Sequence, residues 1–365
     1  MTHGTSVRAE APFVGREPAV AELDRAFRLT VTGQPSTVTV EGEPGVGKTR
    51  LLSEMRRRWE GQADQVAVAA SPGVKPPLRI VRKLLDGLPA PDDRVGAAQA
   101  EIDRLRAAGR TEGSEPGAVV AYEAIDALLE RARSGPLVVL VDDLQWVDPA
   151  SRLTLTTLAR EAAAIGHGVA LLVVAVVREE GPDGDVVAEL ARIPGHRSVH
   201  LHPLAEEETD ALIRAHGVSR PTRTLVRSLL DFSGGNPLFL REAILRADQE
   251  QRWRERANGT DADLPLGWLG PPGDLAGTVA RRTEALGPEV QLTLEYAALA
   301  RGPVVPAVLQ QAVDDDVDVG AALERAAAAG LVVPVEQGWT FTHGALRQAI
   351  AAGLDRGRRT RMHRD

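Results

Sequence analysis

Residues 38–52 read VTVEGEPGVGKTRLL, an apolar run that breaks into a glycine-rich turn and then takes up a helical pattern. Gly42-Glu43-Pro44-Gly45-Val46-Gly47-Lys48-Thr49 within it fits the phosphate-loop pattern G-x-x-x-x-G-K-[ST]. Glycines at those positions let backbone N–H groups turn inward around a phosphate, and the following helix aims its positive end at the same point. The chain contains 40 arginines but only three lysines, Lys48, Lys75 and Lys83. A compact ammonium on a slim stem reaches β- and γ-phosphates inside such a loop, where a planar guanidinium fits poorly. Thr49 offers its hydroxyl to Mg²⁺.

The bulk composition narrows the class. A chain of 365 residues is long enough for two or three domains, each with its own core. Hydrophobic residues make up 43% but aromatics only 3%, so the cores are built mainly from Ala, Leu and Val. So few rings weigh against a base-stacking surface. The net charge of −8 and the isoelectric point near 5.6 argue against a broad nucleic-acid or acidic-membrane footprint. Without cysteine there is neither a disulfide nor a thiolate metal site. The opening MTHGTSVRAEAP (1–12) has no apolar core and reads as a flexible lead-in, not a signal peptide. The longest apolar run, VALLVVAVV (169–177), is about half of what a membrane span needs. A cytoplasmic location is expected.

Five β-rich runs precede residue 204: STVTVE (36–41), QVAVAA (65–70), LVVLVDD (137–143), VALLVVAVV (169–177) and SVHLHPL (198–204). Helical patterns flank and separate them at 17–29, 50–59, 118–133 and 150–164. Apolar strands alternating with helices predict an α/β fold, a five-stranded parallel sheet covered on both faces, over 13–203. From 204 the strand signal stops, which predicts an all-helical lid over 204–256, broken at Gly234-Gly235-Asn236-Pro237. A Pro/Gly-rich linker is expected at 257–274. Helices are expected at about 275–286, 289–300, 304–313 and 318–329, followed by a hairpin in GLVVPVEQGWTFTH (330–343); over 275–365 that order suggests a winged-helix module.

A phosphate loop calls for an acidic metal partner at the end of another buried strand. Asp142 and Asp143 close the third run: Asp142 is the Mg²⁺ candidate, and Asp143 the group that would orient the attacking water. Arg178 follows the fourth run, at the strand end where the crevice of a parallel sheet lies, in position to touch a γ-phosphate.

FVGRE (13–17), GEPGVGKTRLL (42–52), LVVLVDDLQWVDPAS (137–151), SGGNPLFL (233–240) and FTHGALRQAI (341–350) occur in an order that resembles signal-transduction ATPases with numerous domains. The branch it resembles is the large ATP-binding LuxR-type regulators with an Orc1-like AAA ATPase domain. The resemblance implies that Val14, Gly15 and Arg16 line the adenine side and that Pro237 packs on the base. It also implies that Arg178 is a sensor arginine and that His343 reaches the β-phosphate of ADP. Relatives carry an acidic residue after that histidine, whereas Gly344 follows here. The candidate ATP contacts are therefore Val14, Gly15, Arg16, Gly42, Glu43, Pro44, Gly45, Val46, Gly47, Lys48, Thr49, Arg50, Pro237 and His343. Lys48, Asp143 and Arg178 are the catalytic candidates; Thr49 and Asp142 are the metal candidates.

The resemblance implies a slow ATP-to-ADP switch that self-associates in the ATP form and acts through regulatory partners or further domains. Such regulators continue into a helical-repeat sensor and a helix-turn-helix; this sequence stops at RGRRTRMHRD, which reads as the start of a further helix. A fragment of a longer regulator and a short ATPase acting on partners both fit. The alternative is a replication-initiator-like DNA-handling ATPase, disfavoured by the net charge and by the lack of basic residues on the 331–343 hairpin. A small-molecule kinase is a third class. His196, His200 and His202 lack a carboxylate at ligand spacing. DDDVD (314–318) lacks the Gly and Glu of a calcium loop.

Overall fold

A computed structural model describes residues 13–70, 78–88, 93–107, 115–177, 184–256, 258–262, 277, 279–280, 283–284, 286–300, 302–313, 316–329, 331–335, 338–342 and 344–362. The chain forms two compact units. One runs from Gly15 to His202; the other holds the described residues from Pro203 onward together with Phe13 and Val14.

In the first unit the order is α1 (Glu17–Val31), β1 (Ser36–Gly42), α2 (Lys48–Arg58), β2 (Asp64–Ala69), α3 (Arg79–Asp86), α4 (Asp93–Ala107), α5 (Glu115–Ser134), β3 (Leu137–Asp142), α6 (Pro149–Ile165), β4 (Leu171–Val176), α7 (Gly184–Ala191) and β5 (His196–Leu201). All five strands are parallel, in the order β2-β3-β4-β1-β5. The expected sheet is present. The central strands β1, β3 and β4 are buried along nearly their whole length, as expected when both faces are covered; β3 and β4 are Val/Leu-rich, whereas β1 also buries Ser36, Thr37 and Thr39. The edge strands β2 and β5 alternate buried with exposed residues, so only one of their faces meets a core. Leu137, Val139 and Val141 of β3 join Leu171, Val173 and Ala175 of β4 in one cluster with residues of α3, α4, α5 and α6. Helices α3, α4 and α7 were not anticipated as elements; they are short or irregularly patterned.

Asp148 ties this core together. It is the N-cap of α6, its carboxylate accepting from Ser151 N at 2.8 Å. The same oxygen accepts from Leu78 N at 2.9 Å, which anchors the start of α3. The side chain is buried, so truncation leaves two N–H groups without their acceptor. Asp148→Ala is expected to cost about 2–3 kcal/mol, lowering the melting temperature by roughly 5–9 °C for a unit of this size. Asp148→Asn keeps an acceptor oxygen and should stay within about 1 kcal/mol of wild type; thermal scans of both variants check the contrast.

The second unit begins with three helices, α8 (Glu206–Ala215), α9 (Arg223–Ser233) and α10 (Pro237–Gln249), around a core that includes Leu212, Ile213, Leu229, Phe232, Leu240 and Ile244. The turn SGGNP is explained residue by residue. Gly234 is the left-handed C-cap of α9, as helix ends favour. A Cβ on Gly235 would sit 2.3 Å from the Leu204 carbonyl, so only glycine allows that approach. The Asn236 side chain accepts from Leu238 N, and Pro237 takes the first position of α10, where its missing N–H costs nothing.

The expected all-helical lid needs correction. An antiparallel hairpin, β6 (Trp253–Arg256) and β7 (Gly259–Ala262), follows α10, reaching into the stretch expected to be a linker. Thr260 also pairs with the 220–222 segment, where Thr222 N donates to its carbonyl at 2.9 Å. The hairpin strands, WRER and GTDA, are polar, so no apolar alternation marked them. Residues 263–276 lie outside the described set.

Further along, helices span Pro288–Leu299, Pro306–Leu309 and Val319–Ala328, then come β8 (Val332–Val335) and β9 (Gly338–Phe341) and helices Gly344–Gly353 and Arg356–Met362. β8 and β9 pair antiparallel. On its other side, β9 exchanges two hydrogen bonds between Trp339 and Val304. Val290, Leu294, Leu323, Leu331 and Leu346 share one core. Half of the expected 275–286 helix lies outside the described residues. The RGRRTRM tail is helical: Met362 is buried, and Arg358 pairs with the buried Glu295 at 2.6 Å.

Candidate phosphate-loop site

The 42–49 segment joins β1 to α2 at the carboxyl end of the sheet. Gly42, Gly45 and Gly47 all have positive φ. At Gly42 the constraint is also steric, since a Cβ would stand 2.7 Å from the Leu201 carbonyl and 3.1 Å from Val46 Cγ1. The end of β5 thus presses on the first residue of the loop. Val46 turns its side chain inward and is buried. Lys48 opens α2 and is buried. Its Nζ donates to the carbonyls of Gly42 at 2.6 Å and Glu43 at 2.8 Å, so the ammonium lies within the loop.

Thr49 Oγ1 donates to Asp142 Oδ2 at 2.7 Å, linking the start of α2 to the end of β3 past the intervening β4. Burial pushes the Asp142 carboxyl above the ordinary carboxylate range, and the neighbouring Asp143 charge adds to this; the Thr49 hydroxyl, the Asp143 N–H and Lys48 oppose it. Asp143 sits in the left-handed region at φ +56°, uncommon for a residue with a side chain. Its N–H donates to Asp142 Oδ1 at 2.9 Å. Its own Oδ1 accepts from Gln145 Nε2 at 2.6 Å. Gln145 was not among the expected site residues. Only the left-handed turn brings it back to a side chain two positions earlier.

The fit to Mg²⁺ rests on donor chemistry. A hydroxyl and a carboxylate in contact are hard oxygen ligands, and a buried carboxylate raised by desolvation gains from a cation beside it. Mg²⁺ characteristically takes one or two protein oxygens and fills the rest of its octahedron with phosphate and water. Among the described residues no group of three or more His, Asp or Glu side chains is arranged to hold a metal. His196 instead bonds Thr39 Oγ1 at 3.1 Å, and the rings of His200, in β5, and His202, just after it, lie 4.5 Å apart.

The other expected contacts are distributed. The Arg16 guanidinium donates to the backbone carbonyls of Val46 and His202, with a longer contact to that of Gly15. The Arg50 guanidinium faces Glu54 at 3.7 Å. Val14 packs on the α8–α10 core, and Pro237 belongs to that second unit as well. Arg178 and His343 lie outside the described residues.

Residues 12–174 match the model of the AAA ATPase domain. The matched segment contains the loop, Asp142 and Asp143. An uncharacterized protein of Rhizobium meliloti strain 1021 is 27% identical over 396 residues, covering 98% of this chain and 37% of its own length. A STAND protein with a tetratricopeptide repeat sensor from Pyrococcus horikoshii has a similar fold, with a TM-score of 0.54 at 14% identity over 97% of this chain and 45% of that one. Cdc6p from Pyrobaculum aerophilum follows at a TM-score of 0.45 and 13% identity, covering 96% and 97% of the two chains. The chain thus spans less than half the length of the first two. No helix among the described residues is long and apolar enough to cross a membrane.

The raised Asp142 carboxyl has a pH signature. The folded-state value lies above the unfolded one, so the native chain holds the extra proton and loses stability as pH rises from about 4 through the folded value. Without nucleotide, Asp142→Asn should melt higher than wild type at pH 7.5, the gap closing toward pH 4.5. Thermal scans across that range would refute the burial of this carboxyl if the variant melted no higher than wild type at pH 7.5.

Proposed function

We propose that the AAA domain binds ATP with Mg²⁺ at Gly42–Thr49 and hydrolyses it slowly, as the nucleotide switch of a signal-responsive transcriptional regulator. The observation that carries the ATP reading is the buried Lys48 ammonium inside a glycine loop whose Thr49 hydroxyl touches Asp142. In this reading the loop amides and Lys48 hold the β- and γ-phosphates, exchanging the two loop carbonyls for phosphate oxygens. Thr49 and Asp142 hold the metal, which when bound would neutralise charge developing on the phosphate oxygens. Asp143, steadied by Gln145, orients a water for attack on the γ-phosphorus; the bond to the β–γ bridging oxygen breaks, and ADP and phosphate leave. Arg178 would sense the γ-phosphate, and Val14 and Pro237 would contact the base. His343 would reach the β-phosphate of ADP, giving a population shift between nucleotide forms.

The regulator part of the proposal is drawn from the order of the sequence motifs. The C-terminal region is proposed as a winged-helix module over 275–365. Its support is the succession of a helix, the Val304 bridge, two helices and the β8–β9 hairpin, with Val304 and β8 flanking β9. The nucleotide domain is assigned to 13–203, in a cytoplasmic protein whose partners are its own copies in the ATP form and regulatory proteins or domains.

Lys48→Ala should weaken ATP binding at least about 100-fold, a loss of roughly 2.7 kcal/mol; unchanged affinity in a calorimetric titration would refute the loop assignment. Asp143→Asn should still bind ATP but turn over about 10²-fold more slowly. Phosphate release at equal rates in variant and wild type would remove Asp143 from the water-orienting role.

A further inference from the structure

Arg16 lies between the left-handed Gly15 and the first residue of α1. Its side chain is buried. Nη2 donates to the Val46 carbonyl at 2.8 Å, and Nη1 donates to the His202 carbonyl at 2.8 Å, with a longer contact to the Gly15 carbonyl at 3.4 Å. Val46 is the loop residue between Gly45 and Gly47, and His202 directly follows β5. One planar group therefore fastens the middle of the phosphate loop to the end of the neighbouring strand.

The Val46 carbonyl and the Gly47 N–H belong to one trans peptide plane and point in opposite directions. A guanidinium that holds the carbonyl on one side sets the direction of the N–H on the other. Glycines flank Val46 on both sides, and Gly47 has φ +106°, so the peptide has little steric resistance to turning over. The other end of the loop is set by contact, since Gly42 is pressed by the Leu201 carbonyl. Both constraints on the loop thus come from the last residues of β5 and the one that follows.

We propose that Arg16 is a positioning residue for the phosphate loop: by holding the Val46 carbonyl it keeps the Gly47 N–H aimed at the bound triphosphate. This rests on the reading of the loop as an ATP site. It differs in what it recognises from a contact on the adenine side, which the resemblance of FVGRE implies for Arg16. A brace serves any triphosphate, whereas a contact on the adenine side serves only the nucleoside.

The test compares wild type with Arg16→Ala by titration with ATP and with inorganic tripolyphosphate, each with Mg²⁺, and by hydrogen exchange of the nucleotide-free chain. Arg16→Ala should lose about tenfold in affinity for both ligands, the equivalent of one hydrogen bond to the phosphates. Exchange should quicken at the amides of 46–49 while those of β3 and β4 hold their protection. Loss for ATP alone overturns the brace in favour of a base contact, and unchanged affinity with unchanged exchange overturns it outright. Arg16→Lys keeps the charge without the two-headed donor; it should give the same pattern at smaller amplitude, and it decides the question where the alanine variant does not fold. If wild type binds neither ligand, the ATP reading fails on its own, and the exchange comparison still judges the brace.

Discussion

The Thr49 hydroxyl and the Asp142 carboxylate meet past the end of a strand that separates their own two strands, and the candidate site depends on that meeting. β4 lies between β1 and β3, so the loop after β1 and the acidic end of β3 come from non-adjacent strands. A parallel sheet makes this possible because every strand delivers its carboxyl end to the same edge. The register then matters. Val141 stands opposite Ala175, and Val40 opposite Val176, so β1, β3 and β4 end nearly level. A hydroxyl one residue into α2 is within reach of a carboxylate at the last position of β3.

Burial gives that contact its chemical character. A carboxylate withdrawn from water is held less readily as an anion, and Asp142 is placed where a cation would reverse the cost. Lys48 is held in a similar tension: its ammonium is buried and satisfied by two carbonyls of its own loop. Both groups sit in a site whose walls are the ends of apolar strands, where electrostatic interactions are stronger than in water. A triphosphate with its metal offers these two groups opposite charges to pair with.

Much of the first unit was legible because its signals are local. Continuous Val/Leu runs marked β3 and β4, and the β-branched STVTVE marked β1. Gly-x-x-x-x-Gly-Lys-Thr specified a turn whose dihedral angles only glycine adopts comfortably, and Asp142 could be placed at a strand end by its position in LVVLVDD. The β6–β7 hairpin escaped notice because its side chains are polar and its pairing relies on backbone hydrogen bonds and on contact with the 220–222 segment. Gln145 escaped because its role depends on the left-handed turn at Asp143, which propensity does not reveal. Arg16 carried a plausible role by resemblance, but which carbonyls it would find could not be read from FVGRE.

The amino-acid order alone determined the α/β class, the position of the phosphate loop, the lysine inside it and the acidic pair that closes β3. Each of these follows from short-range physics: the period of side chains along a strand, the freedom of glycine, and the reach of an ammonium. The tertiary structure decided which strand lies between the loop and its acidic partner, that burial raises Asp142, and whose carbonyls hold the guanidinium of Arg16. Those outcomes depend on residues up to 186 positions apart in the chain, brought together by packing rather than by sequence proximity.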